Sequence, residues 1–147
     1  MITRMDNVLI VVEDLDAVID FFVALGMEVE GRAPLGGDLV ERIIALQGVS
    51  EEIAVLKTPD GHGRVELAQF LTPAAIRPEP WVAPVNTLGM RRIMFAVEGI
   101  DEMVARLLTQ GVELVGEIVT YGDEYRLCFV RGPENIMIGL AEELQKG

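Results

Sequence analysis

The stretch Met5–Gly31, MDNVLIVVEDLDAVIDFFVALGMEVEG, is echoed without a gap at Met90–Gly116, MRRIMFAVEGIDEMVARLLTQGVELVG, 85 residues further on. Val12, Glu13, Asp16, Gly26, Glu28 and Gly31 fall on Val97, Glu98, Asp101, Gly111, Glu113 and Gly116, and the apolar pattern follows. An internal repeat decides architecture before any local detail, because each copy is one supersecondary unit. Val8–Val12 and Ile93–Val97 are short apolar runs that read as buried strands. Leu15, Val18, Ile19, Phe22 and Leu25, and then Ile100, Met103, Val104, Leu107 and Leu108, keep helical spacing and give one apolar stripe each. Asp14 or Asp16 is expected to cap the first helix and Asp101 the second. Gly26 and Gly111 stand where a helix end needs positive φ.

Working outward, further strand regions are expected in each copy. In the first they are Met27–Arg32, Leu39–Thr58 (two strands bent near Gly48) and Arg64–Phe70. In the second, the expected segments are Val112–Gly116, Ile118–Tyr121, Tyr125–Arg131 and Ile136–Leu140. Pro59-Asp60-Gly61 and Gly132-Pro133-Glu134-Asn135 supply turns at matching places. Between the copies, Leu71–Leu88 carries Pro73, Pro78, Pro80 and Pro84 and reads as a stiff linker. The expected organisation is one domain over 1–147: a βαβββ module at 4–70, the linker at 71–88 and a second module at 89–144.

Composition narrows the function classes. The 147 residues carry 24 acidic against 12 basic side chains, a formal charge of −12, so nucleic acid and anionic membranes are not expected partners. The acidic residues are scattered, as on a solvated surface. No apolar run approaches the roughly 18 residues of a membrane span, and the N-terminus lacks the pattern of a secretory signal, so a cytoplasmic protein is expected. The single cysteine, Cys128, excludes a disulfide within one chain and a Cys-based zinc site.

With this order of elements the sequence resembles the vicinal-oxygen-chelate superfamily of glyoxalases, bleomycin-resistance proteins and extradiol dioxygenases. The resemblance covers about residues 4 to 144. It rests on Asn7-x-x-Ile10-x-Val12-x-Asp14-Leu15, then Phe21-Phe22-x-x-Leu25-Gly26, and Pro59-Asp60-Gly61 leading into Val65-Glu66-Leu67. Asn86-x-x-Gly89 and Gly132-Pro133-Glu134-Asn135 leading into Ile138-Gly139-Leu140 complete it. It implies an α+β fold in which the two βαβββ modules form a curved mixed sheet, a half-barrel with an open cleft, commonly as a homodimer.

Metal-dependent members hold four ligands, usually two His and two Glu, on the first and last strands of the modules. The corresponding positions here are Asn7, Glu66, Arg92 and Gly139. Only Glu66 fits; Arg92 is a cation and Gly139 has no side chain. The only histidine, His62, lies in a turn, so a 2-His-1-carboxylate triad cannot be assembled. No metal and no other cofactor are expected.

The resemblance implies that Glu66 and Arg92 converge on the cleft centre. They are either an ion pair tying the modules together or a catalytic pair, with Arg92 holding an anionic oxygen and Glu66 accepting a proton. Asn7, Phe70, Met94, Tyr125 and Arg126 are candidate substrate contacts, with strand parity near Gly122 leaving Tyr125 and Arg126 as alternatives. Leu9, Val11, Ala68, Phe70, Met94, Ala96 and Met137 share the parity of the mapped ligand positions and suggest an apolar cup. His62 reads as a turn residue, Cys128 as a small core residue, and Trp81 as a rim or surface packing residue. Two functions follow from the resemblance. One is metal-independent isomerase- or lyase-type proton chemistry on a small, oxygenated, anionic molecule; the other is non-catalytic binding or drug sequestration, as in bleomycin-resistance proteins.

Overall fold

Asp14 accepts a hydrogen bond from the Ala17 N–H at 3.1 Å, and this starts the first helix as the sequence leads one to expect. In the computed structural model, which describes residues 1–145, the helix α1 (Leu15–Leu25) follows the strand β1 (Val8–Val11). It ends at Gly26, whose φ of 113° returns the Met27 N–H to the Phe22 carbonyl at 3.0 Å. Then come β2 (Glu28–Gly36), α2 (Asp38–Ile44), β3 (Ser50–Lys57) and β4 (Arg64–Thr72). The sheet order is β1-β4-β3-β2, with β1 parallel to β4 and the other pairs antiparallel. α1 covers one face, burying Leu15, Val18, Ile19, Phe21 and Phe22 on the side of Ala54, Leu56, Val65 and Leu67. Each such side chain contributes about 1.5–3 kcal/mol by leaving water.

The second unit, from Pro78 onward, repeats this plan. It contains β5 (Ile93–Ala96), α3 (Ile100–Thr109), β6 (Glu113–Tyr121), β7 (Tyr125–Arg131) and β8 (Met137–Glu143), in the order β5-β8-β7-β6. β5 is parallel to β8; the other pairs are antiparallel. Ile100, Val104 and Leu107 of α3 are buried, as are Cys128, Val130, Ile138 and Leu140 on the helix side of the sheet. The fold is therefore α+β with two βαβββ modules, the fold class expected from the sequence. No helix among the described residues is long and apolar enough to cross a membrane.

Four local expectations need correction. Residues 39–44 are helical, although Val40, Ile43 and Ile44 are β-branched. Gly36 and Gly37 break the strand: a Cβ on Gly36 would lie 2.7 Å from the Val49 carbonyl, and Gly37 takes φ 91°. The chain leaves the sheet there and continues as α2, which buries none of its residues. β2 correspondingly runs on to Gly36 instead of ending at Arg32.

In the second module, Val112–Gly116 and Ile118–Tyr121 are one strand. Its register jumps from Val115 opposite Phe129 to Val119 opposite Leu127, a bulge made with Gly116 at φ 78°. Finally, Gly99, not Asp101, is the N-cap of α3. The Glu142 carboxylate on β8 accepts from the Gly99 and Ile100 N–H groups at 2.6 and 3.3 Å. Gln69 on β4 does the same for Leu15 at 3.0 Å. A cap supplied by a distant strand leaves no mark in the local sequence.

Candidate functional site

Each sheet has one face covered by its own helix and one turned away from it, and strand parity assigns every residue to one or the other. In the first module, Glu66 pairs with Leu9 on β1 and with Val55 on β3, which places all three on the face away from α1. Leu9, Val11, Ala68 and Phe70 share that face, and Leu9 and Val11 are 52% and 48% exposed. Asn7 immediately precedes β1, at the parity of Leu9, and is exposed.

Glu51, which was not singled out from the sequence, belongs to the same face. It stands in register between Leu35 on β2 and Phe70 on β4, and only 8% of its surface is exposed. Burial among such neighbours, reinforced by the negative charge of Glu66, pushes its carboxyl above the usual range. The signal available in the sequence was an acid at the parity of Ile53 and Val55. Two strands bent near Gly48, the arrangement expected from the sequence, leave that parity unset.

In the second module the face away from α3 carries Met94, Ala96, Met137, Gly139, Phe129, Leu127 and Tyr125. Arg92 lies two residues before Met94, and its guanidinium sits 4.2 Å from the centroid of the Phe129 ring. Stacking on a ring face holds a guanidinium while leaving its edge N–H donors available. No carboxylate of this module lies within ion-pair distance of Arg92 among the described residues.

Parity separates the two alternatives near Gly122. Tyr125 lies on the face with Phe129, and Arg126 lies on the helix side, where it is ion-paired to Asp101 at 2.5 Å. Arg126 is therefore removed from the set that shares a face with Met94 and Tyr125, because its neighbour in the strand already occupies that side.

The positions where the family carries metal ligands do not fit a metal. Glu66 is the one carboxylate among them. A Cβ on Gly139 would collide with Met94 Sδ and lie 3.2 Å from Phe129 Cδ1, so the space for a side chain there is filled by the thioether. Among the described residues no group of three or more His, Cys, Asp or Glu is assembled to hold an ion.

The remaining candidates have local roles. His62 is exposed in the turn after β3; its N–H donates to Asp60 Oδ1 at 3.0 Å, beside the Thr58 hydroxyl bond at 2.5 Å. Those two bonds hold the Asp60 carboxyl below its usual range. Cys128 is buried on the helix side, and burial pushes its thiol up, away from the thiolate form a nucleophile needs. The Trp81 carbonyl accepts from Asn135 Nδ2 at 3.3 Å, which ties the linker to the turn before β8. A shallow depression of about 200 Å³ lined by Arg32, Ala33, Pro34, Glu52 and Ile53 contains none of the candidate residues, so cavity volume does not select the site.

The sequence model of the Glyoxalase/Bleomycin resistance protein/Dioxygenase superfamily matches residues 4–140. A glyoxalase family protein from Bacillus cereus is 54% identical over 99% of this chain and 97% of its own, with a TM-score of 0.94. The trypanothione-dependent glyoxalase I of Leishmania major is 21% identical over 95% of this chain and 86% of its own, at a TM-score of 0.66. The genomically encoded fosfomycin resistance protein FosX of Listeria monocytogenes is 17% identical over 98% of this chain and 96% of its own, at 0.61. The last two likenesses speak to the fold alone. Among curated proteins none matches. Residues 4–140 and the two βαβββ modules together place the chain in the glyoxalase/bleomycin resistance/dioxygenase superfamily.

Proposed function

We infer that this protein acts on a small, oxygenated, anionic molecule by metal-independent proton chemistry of the isomerase or lyase type. Arg92 is the anion holder and Glu66 the proton acceptor. The observation that carries this inference is the Arg92 guanidinium, stacked on Phe129 and presented on an apolar sheet face with no carboxylate of its own module beside it. A cation so placed, with Met94 and Tyr125 on the same face, suits a carboxylate, phosphonate or enolate oxygen. In the reaction, a C–H bond next to a carbonyl breaks, its proton goes to Glu66, and the electron pair moves to the carbonyl oxygen, where Arg92 balances the charge. Return of the proton at another carbon completes an isomerisation; loss of a β-substituent completes an elimination. Asn7 and Phe70 are taken as further ligand contacts.

The experiment is binding and turnover with a panel of short-chain 2-oxo and 2-hydroxy acids plus a small phosphonate, the ligand class held by a FosX structure. Arg92→Met is expected to weaken binding about tenfold or more. Glu66→Gln is expected to keep binding and lose solvent exchange of the substrate's α-hydrogen. Binding by the wild type with no exchange of that hydrogen would assign the chain to sequestration instead of catalysis. Equal binding by wild type and Arg92→Met would overturn the assignment of Arg92. A homodimer is part of the same proposal, and sedimentation at tens of micromolar should find twice the 16.1 kDa chain mass.

A further inference from the structure

We propose that Glu51 is a ligand-binding residue on the first sheet: its carboxyl group donates a hydrogen bond to an oxygen atom of the bound molecule, on the face that carries Glu66. The proposal rests on the functional reading above, because it assigns a further contact for the same class of oxygenated ligand.

Glu51 is the one charged residue buried to this degree among the described residues, at 8% exposure. Its side chain has no hydrogen-bond or ion-pair partner among them. Leu35 and Phe70 flank it in the register, so its neighbours across both strand pairs are apolar. A carboxylate with no donor and only a sliver of solvent contact loses much of the hydration that stabilises its charge. Such a group stays in place at low cost when it keeps its proton and offers that proton to something outside the protein. The face it occupies is the one carrying Glu66, so the two acids point to one side of the same sheet.

The other charged groups on this side are few. Glu13, just past β1, is ion-paired to Arg77 at 2.6 Å. Arg64, Lys57 and Glu28 lie together at the opposite end of the strands, and Arg64 is bonded to Glu30 at 3.0 Å. α2, in contact with β2, adds Asp38, Glu41 and Arg42. None of the bases is bonded to Glu51, and the charge that acts on it is that of Glu66, which favours the protonated acid. A carboxyl shifted toward its protonated form would hydrogen-bond a carbonyl or carboxylate oxygen as donor, on the same face as Glu66, the proton acceptor of the proposed reaction.

Two measurements test this. Carbon-detected NMR of the side-chain carboxyls of the wild-type protein should find Glu51 titrating later than the exposed glutamates, and earlier again once Glu66→Gln removes the neighbouring charge. The 2-oxo acid panel is then bound to the wild type, Glu51→Gln and Glu51→Met, with thermal melts of each. Glu51→Gln keeps a donor and should bind within about threefold of the wild type, whereas Glu51→Met should bind about tenfold or more weakly while melting no lower. Equal binding by Glu51→Met, or ordinary titration of Glu51, would overturn the assignment of Glu51 and leave that of Arg92 standing. A wild type that binds no member of the panel would remove both, through the ligand class. The titration needs no variant at Glu51, so it decides even if Glu51→Met fails to fold.

Discussion

Gly139 on β8 stands where the family resemblance implies a metal ligand, and Met94 lies over it. Its φ is outside the left-handed region, so alanine can adopt the same backbone. In open space Gly139→Ala should therefore stabilise by about 0.4–1 kcal/mol, through the smaller freedom of the unfolded chain. Here the new methyl meets Met94 Sδ, lies 3.0 Å from Met94 Cε and 3.2 Å from Phe129 Cδ1. Insertion of a methyl into filled space costs roughly 1–3 kcal/mol, and forcing Met94 off its rotamer about 0.5–1.5 kcal/mol, so relief by the half-exposed Met94 keeps the penalty near the lower end. The net expectation is a loss of about 1 kcal/mol, or roughly 2–4 °C for a chain of this size. With Met94→Ala in place the collision is gone, and the same change at Gly139 should turn neutral or stabilising. Urea melts of the wild type, the two single variants and the double variant give the coupling directly, expected at about 1–2 kcal/mol. A coupling below about 0.5 kcal/mol, with Gly139→Ala stabilising in both backgrounds, would refute the claim that Met94 fills the vacant ligand position.

Glu142→Ala should destabilise by about 2 kcal/mol, since α3 loses two bonds from a charged acceptor and has no side-chain cap of its own. Gln69→Ala should cost only about 1 kcal/mol, because α1 keeps Asp14; chemical denaturation that ranks them in reverse would contradict the capping account. Stability should also carry a signature of Glu51. Its folded pKa is raised, so between the ordinary carboxylate value and that raised value the native state holds the extra proton, and stability falls as pH rises through this window. Glu51→Gln should therefore gain on the wild type as pH rises above the ordinary carboxylate value. A stability difference independent of pH would contradict the burial of that acid.

Much of this molecule was legible in one dimension. The 85-residue offset, the helical stripes, Asp14 as cap and Gly26 and Gly111 at the helix ends are all local or periodic features, and periodicity depends only on which residues must reach an apolar face. The absence of histidine and carboxylate from three of the four mapped ligand positions was equally plain, because it concerns residue types. What required three dimensions was whatever depends on pairing.

Gly36, the last residue of β2, is identified by the Val49 carbonyl against it, and Val49 stands just before β3. The bulge at Gly116 sets parity only against β7. The caps from Gln69 and Glu142 come from 54 and 43 residues away. The same holds for the chemistry. Arg126 and Tyr125 are adjacent in sequence and fall on opposite faces, and Arg92 becomes a held guanidinium only because Phe129 lies beneath it. The environment of Glu51 exists only once Leu35 and Phe70 flank it in the sheet, since desolvation is a property of neighbours brought together by folding. Composition and period determined the modules; strand register decided which side chains share a face.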